Sequence, residues 1–180
     1  MRFVALAAIG LLAACDQPAP VANNAATADN DAAANAATPA AASLGVPPAT
    51  KEAALKLMHD RHENYEKIGD AMKVISRELK GDSPDLARVR AGADTIATLA
   101  PQVKTWFPAG TGPDVGKTEA KAEIWQKPED FAAKARGLEE AAAAFRAAVQ
   151  GSDVAAIRAA HANLGKSCKA CHDLYREDDH

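Results

Sequence analysis

The chain is short of aromatic side chains, of cysteine and of any excess of one charge. Aromatic residues are 4 % of the sequence, and Ala supplies most of the 48 % hydrophobic content, so its own side chains build only a thin core. Twenty-one basic residues stand against twenty-four acidic ones, so no strong field draws the protein to nucleic acid or to an anionic membrane. The one long uncharged apolar run, Phe3 to Ala14, is too short to span a bilayer as a mature helix. Neither strand alternation nor an internal repeat is present. Nothing resembling a Ser-His-Asp set, a phosphate loop or a paired-carboxylate site stands out, so a hydrolase or transferase is not indicated and substrate turnover is not expected. Three cysteines are present, an odd number that leaves one thiol to explain in an exported chain.

Export is what the N-terminus indicates. Met1-Arg2 followed by the apolar run reads as a signal peptide over residues 1–14. Leu12-Ala13-Ala14-Cys15 resembles the lipobox of bacterial lipoproteins, which implies cleavage before Cys15 and acylation of its thiol. The plainer alternative, an ordinary secretory signal cut near Ala14, leaves Cys15 as an exposed free thiol in an oxidising compartment. Asp16 is similar to an inner-membrane retention residue of enteric bacteria.

Residues 15–48 are Ala, Asn, Thr and Pro with few larger apolar side chains, among them Val21, Leu44 and Val46. Such a segment cannot bury enough surface to order itself and is expected to be a flexible tether, with an end-to-end distance of about 30 Å. From residue 49 apolar positions recur every three or four residues, and four helices are predicted. The first runs from about Thr50 to Lys80, with Leu55, Met58, His62, Tyr65, Ile68, Met72, Ile75 and Leu79 inward and Gly81 as its stop. A second starts at Ser83-Pro84 and is shortened or kinked by Pro101. The third begins near Pro128 and sets Phe131, Ala135, Leu138, Ala142, Phe145 and Val149 on one seam. A fourth is capped by Ser152 or Asp153 and turns Val154, Ile157, His161, Leu164, Cys168, Cys171 and Tyr175 inward. The Gly- and Pro-rich stretch from Phe107 to Gly116 is expected to wrap the surface, followed by a short helix from Thr118 to Trp125. The expected fold is all-α, an antiparallel four-helix bundle over residues 49–180 behind a disordered tether.

The last predicted helix contains Cys168-Lys169-Ala170-Cys171-His172. C-x-x-C-H is the pattern of c-type haem attachment: two thiols add to the vinyl groups of one porphyrin and the adjacent imidazole binds the iron. At helical spacing Cys171 and His172 lie about 60° and 40° to either side of Cys168, so all three face one direction. A redox dithiol would want a strand-to-helix setting, and a zinc site a second ligand pair; neither is visible. One covalent haem c also supplies the bulk that an Ala-rich bundle lacks.

A four-helix domain with C-x-x-C-H on its last helix resembles the cytochrome c′ family, the class II c-type cytochromes, over roughly residues 50–180. Arg61, Tyr65, Gly69 and Met72 are similar to the family's first-helix pattern, in which an Arg precedes the distal-face residue by one turn. Phe107 to Gly112 and Ile124-Trp125 resemble family features between the second and third helices, and Arg176 matches the basic residue beside the proximal histidine. The resemblance implies His172 as the iron ligand, Tyr65 over the distal face, and Arg61 and Arg176 beside the cofactor.

Low-spin family members carry Met at the distal position, and this chain has Tyr65 there. A neutral phenol is a poor ligand, so the expected iron is five-coordinate and high-spin. Alternatives are a phenolate assisted by Arg61, and a Tyr65 that simply packs in the core. His62 is the strongest rival ligand, while Met58 and Met72 lie about 10 Å from Tyr65 along the axis. His161 is about 16 Å from His172 and is expected to hydrogen-bond at the bundle end. The functional expectation is a periplasmic, membrane-tethered lipoprotein that passes single electrons and binds NO or CO. A six-coordinate low-spin electron carrier is the alternative, and a structural lipoprotein whose haem mainly supports folding ranks last. Partners are redox proteins of the periplasm or membrane. The family often pairs as homodimers through its first two helices, but the first helix here turns most of its apolar face inward, so the oligomeric state is left open.

Overall fold

The computed structural model describes residues 43–177; the signal-peptide and Cys15 readings, most of the tether and the last three residues lie outside them. Five α-helices occur in this span: α1 Lys51–Lys80, α2 Leu86–Leu99, a single turn α3 Glu123–Gln126, α4 Pro128–Ala148 and α5 Val154–Tyr175. Among the described residues the only β-type pairing is an isolated bridge between Ala120 and Arg176.

Local chemistry sets the helix ends. Thr50 caps α1 by accepting a hydrogen bond from the Ala53 N–H at 3.2 Å. Asp85, rather than Ser83, caps α2: its carboxylate accepts from the amides of Ala87 and Arg88, which leaves Pro84 outside the helix. Asp153 does the same for α5 with Ala155 and Ala156. Pro128 opens α4, where a missing N–H costs nothing. Pro101 lies at the start of a 3-10 segment, Ala100–Thr105, into which α2 tightens. The short helix expected from Thr118 is confined to Glu123–Gln126, because the chain before it pairs instead with the end of α5. Lys121 N–H donates to the Tyr175 carbonyl and Glu177 N–H to that of Glu119.

Packing joins α1 to α2, α2 to α4 and α4 to α5. Phe131, Phe145, Ile75, Ile96, Ile157 and Leu164 are fully buried between them. Arginines tie the helix ends. Arg158 of α5 donates to the carbonyls of Leu79 and Gly81, and Arg90 of α2 to those of Val149 and Gly151, which satisfies carbonyls a helix C-terminus leaves orphaned. At this same end Ser76 and His161 hydrogen-bond across α1 and α5 at 3.2 Å, as expected for His161. Elsewhere α1 and α5 barely approach each other through their main chains.

Two expectations are corrected. Leu55 and His62 do not face inward: Leu55 is 42 % exposed, and the seam of α1 runs through Ala54, Met58, Arg61, Ile68, Ala71, Ile75 and Leu79. The ordered body also begins before residue 49, since Leu44 is buried in the core. Gly45 has φ 123°, and a Cβ there would meet the Thr105 carbonyl oxygen at 2.5 Å, so the chain enters through a tight glycine-dependent bend.

Candidate functional site

Scarce aromatic residues are concentrated at one end of the bundle. Six of the chain's eight form a connected set of ring contacts: Tyr65 meets Trp106 edge-on at 5.2 Å and Phe107 at 6.2 Å; Phe107 meets Trp125 at 6.0 Å and Phe131 at 4.7 Å; Phe131 meets Tyr175 at 5.3 Å. Each element therefore delivers one or two rings, from α1, the loop after the 3-10 segment, α3, α4 and the end of α5. Tyr175 is fixed further by donating its hydroxyl proton to the Asp130 carboxylate.

Cys168 and Cys171 are half-buried against this set, one helical turn apart on α5. Burial raises both thiol pKa values, that of Cys171 to about 11, where the neighbouring Cys168 adds to the effect. A redox dithiol or metal-binding pair needs a stabilised thiolate, and burial here disfavours it. Among the described residues no group of three or more His, Cys, Asp and Glu gathers to hold a metal ion. His172 follows on the exposed side of α5. Partial burial, and then Arg176, lower its pKa, which favours the neutral imidazole that iron requires. Arg176 lies one turn on, its guanidinium bonded to Glu119 at 2.9 Å and its N–H to the His172 carbonyl.

Tyr65, half-buried on α1, is within electrostatic reach of both thiols. Burial pushes its pKa far above the usual tyrosine value, Cys171 adds to this, and Arg61 opposes it only in part. Burial thus favours the uncharged phenol. His62 points away: its side chain is 61 % exposed and lies 3.4 Å from Glu66, so it does not compete for iron. Met58 is buried on the same stretch of α1 as Leu55, packed toward the loop at Gly116, and Met72 packs against the core.

Arg61 occupies a place that sequence reasoning did not foresee. It is only 4 % exposed and donates to the carbonyls of Trp106 and Thr111 and to the hydroxyls of Thr111 and Thr118, at 3.0–3.3 Å. Its guanidinium centre lies 4.5 Å from the centre of the Phe107 ring. Burial lowers its pKa to about 10, so it remains charged. Trp106, Thr111 and Thr118 were missed as partners; the only sequence signal was an aromatic pair opening a loop rich in Gly and Pro.

The donor set fits a covalent porphyrin: two adjacent half-buried thiols, a neighbouring imidazole, a lining of rings, and two helices, α1 and α5, held together mainly at the far end. An all-α bundle with this set on its last helix defines a c-type haem protein. The chain matches the family described as Cytochrome C′ over residues 56–176, and it belongs to that family. It is 38 % identical to the cytochrome c′ of Pararhodospirillum photometricum over 117 residues, covering 65 % of this chain and 93 % of the relative. The structure of cytochrome c prime from Shewanella frigidimarina superposes with a TM-score of 0.65 at 37 % identity, covering 69 % of this chain and 97 % of that one. A nitric oxide complex of a cytochrome c prime variant from Alcaligenes xylosoxidans superposes with a TM-score of 0.63 at 28 % identity, covering 74 % and 100 %. The protein is thus a periplasmic c-type cytochrome carrying one covalently attached haem c. Among the described residues no helix is long and apolar enough to cross a membrane.

Proposed function

We propose that this cytochrome transfers single electrons and takes a diatomic gas, NO or CO, on a five-coordinate haem. When bound, the haem would supply a one-electron iron couple and an iron at which a diatomic ligand could bind. Cys168 and Cys171 are the proposed thioether positions, and His172 is the proposed protein ligand to iron. Arg176 sits beside His172 and steadies the end of α5 through Glu119. The observation that supports the reading is Tyr65: its ring, packed on Trp106 and Phe107, is within electrostatic reach of both cysteines, and burial favours the uncharged phenol, a poor ligand. The nitric oxide complex of the Alcaligenes xylosoxidans relative supports gas binding in this fold. The low-spin alternative is not favoured, because its best candidate ligand, His62, faces solvent.

The proposal includes acylation of Cys15 and a tether over residues 15–48, which hold the domain at the periplasmic face of a membrane near its redox partners. The functional test is titration of the ferrous, haem-loaded protein with CO. A saturating one-to-one change in the Soret band is expected; a spectrum indifferent to CO would contradict an open axial position.

A further inference from the structure

We infer that Arg61 is the positioning residue for Tyr65, acting through the loop of residues 106–118. The inference rests on the reading of Tyr65 as the cover over the ligand position. Tyr65 and Arg61 stand one turn apart on α1, so a rigid helix fixes their relation. Both engage the same loop, and both meet the Phe107 ring. Arg61 holds it by the carbonyls of Trp106 and Thr111 and the hydroxyls of Thr111 and Thr118, while the loop returns the rings of Trp106 and Phe107 as the wall against which Tyr65 packs.

The chemistry favours Arg at this position. All four acceptors are neutral, spread over residues 106 to 118, and a planar guanidinium reaches them with two of its nitrogens while its face covers Phe107. Lysine presents one compact ammonium and cannot span them. The loop has other restraints, but they leave the Trp106 carbonyl to Arg61. Backbone bonds run from the Trp106 N–H to the Val103 carbonyl and from the Val115 N–H to that of Gly112. Thr111 donates back to the Pro108 carbonyl, the Trp125 indole N–H donates to the carbonyls of Phe107 and Pro108, and the buried Phe107 ring packs on Trp125 and Phe131. Releasing Arg61 therefore loosens the Trp106 carbonyl and the Thr111 and Thr118 ties, and with them the Trp106 side of the wall, while Phe107 stays anchored.

The test combines CO association to the ferrous protein with hydrogen exchange of the loop amides, in Arg61→Met, Arg61→Lys, Thr111→Val, Tyr65→Ala and the double variant Arg61→Met/Tyr65→Ala. Arg61→Met should accelerate CO association roughly tenfold and speed exchange across residues 106–118, with Arg61→Lys restoring only part of the wild-type rate. Thr111→Val removes one Arg61 acceptor together with the hydroxyl's own bond to the Pro108 carbonyl and leaves α1 untouched. It should move both readouts in the same direction by about two- to threefold, with the effect on CO association lost in the Arg61→Met background only where it runs through Arg61. It carries the test if Arg61→Met fails to fold. In the Tyr65→Ala background Arg61→Met should add nothing further. Additive effects there, or unchanged ligand rates in Arg61→Met and Thr111→Val beside a fast Tyr65→Ala, would overturn the role of Arg61 and leave the cover intact. A Tyr65→Ala variant no faster than wild type would overturn the cover itself.

Discussion

Replacing Tyr65 by Ala should open the distal face, and the size of the effect follows from what Tyr65 must break to move aside. Its ring makes an edge contact with Trp106 at 5.2 Å and a tilted contact with Phe107 at 6.2 Å. Aromatic pairs of this kind are worth about 0.5–1.5 kcal/mol each beyond area burial, so displacing the ring costs about 1–3 kcal/mol. If a ligand waits on that displacement, each 1.4 kcal/mol slows it about tenfold, and Tyr65→Ala should bind CO about 5- to 150-fold faster. Tyr65→Phe keeps both ring contacts and should stay within about threefold of wild type. Flash photolysis of the ferrous CO complex, with rebinding followed at several CO concentrations, measures this directly. Equal rates for wild type and Tyr65→Ala would refute the reasoning. A Tyr65→Phe variant as fast as Tyr65→Ala would shift the barrier from the ring to its hydroxyl.

Three further outcomes are expected. A Cβ at Gly92 would lie 2.9 Å from two carbons of fully buried Ile75, so Gly92→Val should destabilise the bundle by about 2 kcal/mol despite its better helix propensity, read as a lower denaturation midpoint. His161 is half-buried and its pKa is lowered by desolvation, so the unfolded chain takes up its proton first as pH falls below the ordinary histidine value. Stability from its neutral form is complete above that value and declines as pH drops toward the folded pKa; His161→Gln should flatten this part of the melting-temperature profile between about pH 7 and 5. For the lipid anchor, cells fed labelled palmitate should label the wild-type chain and leave Cys15→Ala unlabelled, and an unlabelled wild type would remove the lipoprotein reading.

Much of the fold was legible because local signals agreed with tertiary packing. Gly81, Pro101 and Pro128 stand where the chain stops, tightens or restarts, and the seam from Phe131 to Val149 is buried as its spacing implied. The haem-attachment motif was legible for the same reason, since one helical turn sets its geometry. What failed depended on distant partners. Arg61 is interior because four acceptors 45 to 57 residues away satisfy it, which no local periodicity encodes. Once Arg61 takes the inward phase of α1, Leu55 and His62 rotate outward, so the stripe read from hydrophobicity was tilted against the true one. Leu44 was overlooked because the surrounding composition is that of a coil, although a single apolar side chain suffices to dock a segment beside Thr105.

The central claim is that the haem has one protein ligand and a covered, unbonded sixth position. Electron paramagnetic resonance of the ferric, haem-loaded protein at neutral pH tests it most directly. The account predicts a high-spin signal with g values near those of axial five-coordinate haem, unchanged in His62→Ala. A low-spin rhombic spectrum would contradict it and would mean that a side chain of this protein completes the coordination.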